Sequence, residues 1–166
     1  MSKNVDPLEF RRVMGHFPTG VSVITTAHEG ELHGMTANSF TSVSLDPMLV
    51  LACLSCGART ALAIQSAGHF AVNILEEGQA ELSQRFAKPG QDHFEGLDVI
   101  QGHRGLPLLP GALAYLVCSV EEIVQAGDHD IVLGRVEDCA ASSNGGGPLV
   151  FFQGTYSSLP SMGRLG

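Results

Sequence analysis

The sequence predicts a mainly β fold, a β-barrel with short helices at its rim. Three observations favour this class: many strand-length segments rich in β-branched and apolar residues, Gly, Pro and Asn turn signals between them, and only two or three short helical patterns. The 166 residues have the length of one ordinary domain. Because no internal repeat or linker is visible, we expect a single domain over residues 1–166.

Short helices are predicted from the residues at their ends. Asp6 is a suitable N-cap and Pro7 a suitable first residue for a helix that ends near His16. Two further helices are predicted over residues 58–67 and 79–87, and each is followed by a glycine or proline that stops it.

The remaining segments predict strands separated by turns and one long loop. The predicted strands are residues 21–26, 32–40, 47–54, 69–75, 112–124, 130–138 and 149–152, the last strand of the chain. Apolar residues fill 47–54 almost without interruption, which predicts a strand buried on both faces. The polar residues 28–31 make the first two strands a hairpin. Residues 91–110 predict a loop, and residues 144–148 predict a strong turn.

Charge and hydropathy exclude several classes of function. Nine Lys and Arg against 17 Asp and Glu give a net charge of −8, which argues against a nucleic-acid-binding protein because such proteins need a basic surface. Apolar runs such as 48–54 are too short to span a bilayer, and residues 1–7 lack the apolar core of a signal peptide. We therefore expect a soluble, cytoplasmic protein without a membrane segment.

The four cysteines include one C-x-x-C pair, Cys53 and Cys56. A zinc site would need two further ligands at a recognisable spacing, and a thioredoxin-like redox site would need a βαβ context. The sequence offers neither, so we expect reduced cysteines. The histidines also lack the spacings typical of metal ligands, and we predict no metal.

A dense group of hydroxyl and amide side chains occupies residues 34–44. Ser and Asn are poor strand formers, so their density here needs an explanation. One explanation is an exposed strand followed by a polar turn. The other is a ledge that offers backbone groups and short polar side chains to a flat heterocycle.

The head of the second predicted helix has the features of an anion site. A strand ends at Ser55, Gly57 turns the chain and a helix begins, so its free N–H groups favour an anion. Arg59 and Thr60 add a guanidinium and a hydroxyl. Ordinary capping with a solvated Arg59 is the alternative. The sequence contains neither a P-loop nor a G-x-G-x-x-G pattern.

His129 stands between two acids, Asp128 and Asp130, in a predicted polar turn. A histidine in such a position can transfer a proton or orient a ligand. The local sequence by itself favours a simpler interpretation, a turn histidine that is hydrogen-bonded to its neighbours.

Four segments, in this order, resemble the short-chain flavin reductases. The segments are residues 17–25, residues 34–40 with 42–44, residues 69–75, and residues 127–129 followed by 133–136. The resemblance covers roughly residues 8–159. It implies a split β-barrel that forms a homodimer, and an NAD(P)H-dependent flavin reductase that acts on FMN or FAD. It further implies that the reduced flavin is supplied to a separate monooxygenase.

The same resemblance implies a role for ten residues. Thr36, Ala37, Asn38 and Ser39 are expected to contact the isoalloxazine ring and the ribityl chain; Ser55, Arg59 and Thr60 to bind the flavin phosphate; His129 to orient the nicotinamide over the flavin; and Phe86 and Tyr156 to lie beside the flavin. Family members often carry another polar or basic residue at Cys56, so FMN and FAD both stay open.

Other functions remain as alternatives. A non-catalytic flavin-binding electron carrier or flavin store would share the ledge and the anion site but would have no nicotinamide site. A ligand sensor, or a redox protein that works through Cys53 and Cys56, is a second alternative. Apart from Arg11, Arg12 and Arg104, no arginine group suggests a pocket for a 2′-phosphate, which favours NADH over NADPH.

Overall fold

The structure is a computed structural model that describes residues 4–143 and 146–160. The α-helices are α1 (Pro7–Met14), α2 (Arg59–Ala67) and α3 (Ala80–Ala87). The strands are β1 (Thr19–Gly20), β2 (Ser22–His28), β3 (Glu31–Ala37), β4 (Phe40–Leu45), β5 (Met48–Ser55), β6 (His69–Ile74), β7 (Ile100–Gln101), β8 (Pro107–Leu108), β9 (Ala114–Ala126), β10 (His129–Ala141), β11 (Leu149–Phe152) and β12 (Thr155–Ser158). Strands predominate, so the predicted mainly β class is confirmed.

Seven strands form one antiparallel sheet in the order β3-β2-β6-β9-β10-β5-β4. In the described part of the chain its edge strands, β3 and β4, do not pair with each other, so the barrel is split at this point. The Ser39 hydroxyl lies in the connection between them and donates to the carbonyl oxygen of Cys53 at 2.8 Å. The same hydroxyl accepts the N–H of Cys53 at 3.1 Å, which fixes the connection to β5.

The described residues form three apolar clusters, and two of them pack helices against the sheets. The first lies between the sheet and α2, where Ile64 of α2 packs with Ile24, Leu54 and Phe70, all fully or almost fully buried. The second joins α3 to the small sheet β1-β11-β12, with Phe86 of α3 in the same cluster as the buried Leu149. Apolar burial of this kind is the main stabilisation of the domain.

A buried asparagine fixes the long connection after α3 to the sheet. The Asn73 side chain donates to the Val23 carbonyl at 3.1 Å and to the Thr25 hydroxyl at 3.2 Å, and it accepts the N–H of Leu109 at 2.8 Å. Thr25 in turn donates to the Pro107 carbonyl at 2.6 Å. Since every polar atom of the Asn73 side chain is paired, the residue is well accommodated in the core.

The predicted helices are confirmed, and their ends have the expected chemistry. The Asp6 carboxylate accepts the N–H of Leu8 at 3.1 Å at the start of α1. Gly68 ends α2 in the left-handed region at φ +73°, where a glycine is favoured. α3 follows a 3₁₀ turn at Glu77–Gln79. In the described chain no helix has the length and apolar character needed to cross a membrane.

Four strand predictions need correction. The predicted strand 32–40 ends at Ala37, and Phe40–Leu45 form a separate strand, β4. β5 is buried on one face only: Val50, Ala52 and Leu54 are buried, while the residues between them are half-exposed. Residues 149–152 are not the last strand, because β12 follows and pairs with β11. The predicted loop 91–110 contains the short strands β7 and β8. The predicted turn at 144–148 includes residues 144 and 145, which lie outside the described residues.

Candidate functional site

A cleft of about 940 Å³ borders β3. One side is formed by residues 31–36 of β3 together with Ser55 and the head of α2, residues 58–60. The other side is formed by residues 86–94, the end of α3 and the segment after it. Clefts of roughly 300–1,000 Å³ accommodate small ligands and cofactors, so this cleft has room for a nucleotide.

Half of the residues predicted for the site line this cleft. The predicted residues that line it are Thr36, Ser55, Arg59, Thr60 and Phe86. The predicted residues that are not among its lining residues are Ala37, Asn38, Ser39, His129 and Tyr156. The structure therefore brings together residues from β3, β5, α2 and α3 that are far apart in the sequence.

The end of the cleft at α2 fits an anion. The N-cap of α2 is Ala58, whose side chain cannot accept a hydrogen bond, so the first N–H groups of the helix keep their capacity to donate. Arg59 is exposed and, within residues 4–143 and 146–160, its guanidinium has no ion-pair partner within 4 Å. Thr60 is buried beside it. Free N–H groups and an unpaired guanidinium are the donors that a phosphate needs.

The residues of the predicted ledge are partly used by the protein itself. The Thr36 hydroxyl donates to the carbonyl of Ser83 in α3 at 2.6 Å, and Ser39 is bound to Cys53 as described above. The Ala37 carbonyl accepts the Ser22 hydroxyl at 2.9 Å. Asn38 is exposed. For a ligand the segment therefore offers the Asn38 amide and the remaining acceptor capacity of its hydroxyls and carbonyls.

Phe86 forms a buried apolar part of the cleft wall. Its side chain is only 2% exposed, and its ring lies 5.3 Å from the ring of His93 and 5.1 Å from that of Phe94. β3 can approach this ring because residue 34 is a glycine: a Cβ there would lie 2.6 Å from Cε1 of Phe86. The sequence predicts Phe86 as a site residue but gives no signal for its contact with Gly34.

Tyr156 is connected to the ledge through α3. Its hydroxyl lies 2.8 Å from the hydroxyl of the fully buried Ser83, whose carbonyl accepts the Thr36 hydroxyl. Its ring packs edge-on against Phe151 in the same hairpin. In the structure Tyr156 thus contacts Ser83, the residue to which Thr36 is hydrogen-bonded. The expected position of Tyr156 beside the flavin stays a prediction.

His129 is not in a turn, as predicted, but is the first residue of β10, directly opposite Ser55, the last residue of β5. Its Nε2 lies 3.4 Å from the Ser55 hydroxyl, and its Nδ1 donates to the Asp128 carboxylate at 2.7 Å. This hydrogen bond lowers the pKa of Asp128 below its ordinary value. The histidine is therefore bonded to its neighbour, as the local sequence favours, and it also adjoins a residue that lines the cleft.

The C-x-x-C pair shows no sign of an activated thiol. Cys53 and Cys56 are both free, and Cys56 Sγ lies 3.5 Å from the Asp130 carboxylate. Desolvation and the Asp130 carboxylate raise the pKa of the Cys56 thiol, whereas reactive cysteines have a lowered pKa. Among the described residues no three His, Cys, Asp or Glu side chains are grouped as metal ligands would be.

A split antiparallel barrel whose cleft combines an end that fits an anion with an apolar wall is suited to bind a nucleotide cofactor. The sequence comparison identifies the family: residues 14–160 match the flavin reductase like domain, and the chain belongs to this family. The family predicted from the sequence is thereby confirmed.

Individual relatives agree with this assignment. An NADH-dependent flavin reductase from Rhodococcus sp is 42% identical, over 99% of this chain and 93% of the relative. The reductase subunit of a flavin-dependent monooxygenase from Mycobacterium tuberculosis is 39% identical, over 96% of this chain and 86% of the relative. The solved structure of a Streptomyces globisporus NADH:FAD oxidoreductase with NAD and FAD fragments superposes with a TM-score of 0.88 at 38% identity, covering 96% of this chain and 98% of that one.

Proposed function

We propose that the protein is an NAD(P)H:flavin oxidoreductase that reduces FMN or FAD by hydride transfer, with NADH as the favoured donor. The observation that carries this proposal is the cleft, which joins an apolar wall at Phe86 to free donors at Arg59 and the head of α2. A flat ring system with an anionic tail needs this combination. The names of the relatives, two of which specify NADH, support the same reaction.

The chain's own residues bind and orient the two cofactors. When bound, the cofactors supply the chemistry, the transfer of a hydride from nicotinamide C4 to flavin N5. Arg59, Thr60 and Ser55 hold the phosphate, while residues 36–39 contact the ring and the ribityl chain. Phe86 keeps water from one side of the site. His129, whose Nδ1 donates to Asp128, would orient the nicotinamide over the flavin.

We include in the proposal that reduced flavin leaves the protein and is used by a separate monooxygenase. The relative from M. tuberculosis is named as a reductase subunit of such a system. Release requires exchangeable binding, and the groups proposed above to hold the flavin are backbone groups, hydroxyls, the Asn38 amide and the Arg59 guanidinium, which form no covalent anchor. In steady-state kinetics flavin should behave as a saturable substrate. A flavin that stays bound through repeated turnovers would contradict this part of the proposal.

A homodimer is also part of the proposal, and α1 supports it. None of the α1 side chains is buried, and its apolar residues Leu8, Phe10 and Met14 are 72%, 58% and 50% exposed. A helix of eight residues is too short to be stable alone in water, so this apolar face needs a covering surface. A second copy of the chain would supply it. Sedimentation should give twice the 17.5 kDa of one chain, and Phe10→Glu should lower this mass. The single domain over residues 1–166 and the cytoplasmic location remain proposals.

Flavin titration tests the site and the function together. We expect binding to the protein to quench the fluorescence of FMN and of FAD. Arg59→Ala should weaken the affinity for both flavins by about 10–100-fold, which corresponds to the loss of a charged hydrogen bond of about 1.5–3 kcal/mol. Riboflavin, which lacks the phosphate, should bind the wild-type protein and Arg59→Ala with equal affinity. Arg12→Ala is the matched control, because Arg12 is paired with Glu9 on α1. If none of the three flavins binds at micromolar concentration, the proposed function is wrong.

Anaerobic mixing with NADH separates the reductase from a flavin carrier or store. A reductase bleaches the flavin absorbance on addition of NADH, whereas a carrier without a nicotinamide site does not. His129→Ala should lower the rate of bleaching more than it weakens flavin binding. An unchanged rate would remove His129 from the mechanism, and a parallel experiment with NADPH tests the preference for NADH.

A further inference from the structure

His33 faces the cleft and has no role in the reaction as described above. It lies in the middle of β3, its side chain is 14% exposed, and it is among the residues that line the cleft. Within the described residues neither ring nitrogen has a hydrogen-bond partner, and the nearest carboxylate oxygen, of Glu31, is 4.0 Å from Nε2. A largely buried imidazole that borders a cleft and has no hydrogen-bond partner among the described residues is suited to contact a ligand.

The position of His33 relative to Arg59 indicates which part of a ligand it would contact. Both residues line the same cleft, one from β3 and the other from the first turn of α2. The two side chains are close enough for the charge of Arg59 to act on the imidazole ring. A protonated His33 and Arg59 repel each other unless an anion lies near both.

We infer that His33 is an additional ligand for the anionic part of the flavin, which it contacts as the imidazolium, so that binding takes up one proton. This inference rests on the proposed function. It adds a second charged group, from the neighbouring strand β3, to the anion site at the head of α2.

The charges around His33 determine whether the affinity for the flavin rises or falls with pH. Burial lowers the pKa of His33; the Glu31 carboxylate opposes this, and the charges of Arg59 and His28 reinforce it. The charged and titratable groups that the other side of the cleft contributes are Lys88, Asp92 and His93. His33 is therefore neutral in the free protein at neutral pH, and a bound anion raises its pKa. Affinity then increases as pH falls through the pKa of the bound state, and it levels off below the pKa of the free state.

The test measures FAD affinity as a function of pH. FAD is the suitable probe because its diphosphate does not titrate between about pH 5.5 and 8.5, whereas a phosphate monoester such as FMN titrates near pH 6. For the wild-type protein the dissociation constant should fall with falling pH, by at most about tenfold per pH unit for one proton. His33→Gln should abolish most of this dependence. Riboflavin should show little dependence with either protein.

Proton uptake gives a second measurement that does not depend on a variant. Calorimetric titration of the wild-type protein with FAD in buffers of different ionisation enthalpy should show uptake of up to one proton. The matched control is His103→Gln, because His103 lies in the 3₁₀ turn His103–Gly105, is not among the cleft-lining residues and is not one of the groups that act on His33. This variant should behave as the wild type.

The outcomes distinguish the inference from the proposed function. If His33→Gln keeps the pH dependence of the wild type, or if the wild-type protein takes up no proton with FAD, the inference is wrong while the flavin site stands. If the wild-type protein binds neither riboflavin nor FAD, the proposed function itself fails. Equal riboflavin affinity of the wild type and His33→Gln shows that the variant retains its fold.

Discussion

Adding one methyl group at Gly34 should have a measurable cost in stability. A Cβ at this position would lie 2.6 and 2.8 Å from Cε1 and Cδ1 of Phe86, and 3.2 Å from Cζ of Phe94. Favourable carbon contacts need about 3.5–4.0 Å. The Phe86 ring cannot move away without disturbing its neighbours, because it is buried and packs against His93 and Phe94. Overpacking of this kind costs about 1–3 kcal/mol.

We therefore expect Gly34→Ala to lower the free energy of unfolding by about 1–3 kcal/mol, and the melting temperature by roughly 2–4 °C for each kcal/mol in a domain of this size. Urea denaturation followed by circular dichroism measures this difference. Gly20→Ala is the matched control: Gly20 also lies in a strand, and a Cβ there would meet nothing within 4 Å. Its stability should be unchanged or slightly higher, because alanine loses less backbone entropy than glycine on folding.

A double variant localises the effect to the predicted contact. If the methyl group acts through the Phe86 ring, Phe86→Leu should reduce the cost of Gly34→Ala, with a coupling energy of about 0.5–3 kcal/mol. The displaced ring should also weaken flavin binding, because Phe86 lines the cleft. Equal stability of Gly34→Ala and Gly20→Ala would refute the reasoning, since the packing of β3 against α3 would then not be as tight as described.

Three further predictions concern the core, an ion pair and a thiol. Asn73→Ala should lower the free energy of unfolding, measured in urea, by about 2–4 kcal/mol, because it leaves buried partners unpaired and opens a cavity. The Arg104 guanidinium holds the pKa of Glu137 below its ordinary value of 4.5, so this pair stabilises the fold above that value and is lost as pH falls through the lowered pKa. The melting temperature of the wild type should thus exceed that of Glu137→Gln at about pH 7 but not at about pH 3. Cys56→Ser should keep full flavin reductase activity, because the raised pKa makes this thiol unreactive; loss of activity would favour the redox alternative.

The helices and most strands could be predicted because their signals are local. The cap at Asp6 and the left-handed Gly68 act within a few residues of the helix ends that they define. β12 was missed because Thr155–Ser158 consists mainly of small polar residues and becomes a strand by pairing with β11. The burial of β5 was predicted wrongly because an apolar run does not show which face the rest of the chain covers.

In the candidate site, too, the parts that depend on local sequence could be predicted, and the parts that depend on long-range packing could not. The end of the cleft at α2 consists of a strand end, a turn and a helix start that follow one another directly, so the residues at 55–60 predict that they lie together, and anion binding there stays a prediction. The part of the cleft that involves Gly34 and Phe86 depends on α3 crossing β3, and no local pattern encodes this contact. The position of His33 was missed for the same reason. The roles of His129 and Tyr156 came from the family resemblance and stay predictions.

The two sides of the cleft differ in the free energy needed to displace them. β3 is bonded to β2 along its whole length, from Glu31 to Ala37. The segment 88–94 lies outside the sheets and is held by bonds such as those from Gln91 to the Arg85 carbonyl and from His93 to the Lys88 carbonyl. Backbone that is held mainly by exposed side-chain hydrogen bonds opens locally at a lower free energy than a paired strand. We therefore expect entry of a large planar molecule to displace the segment 88–94 rather than β3, which keeps its shape.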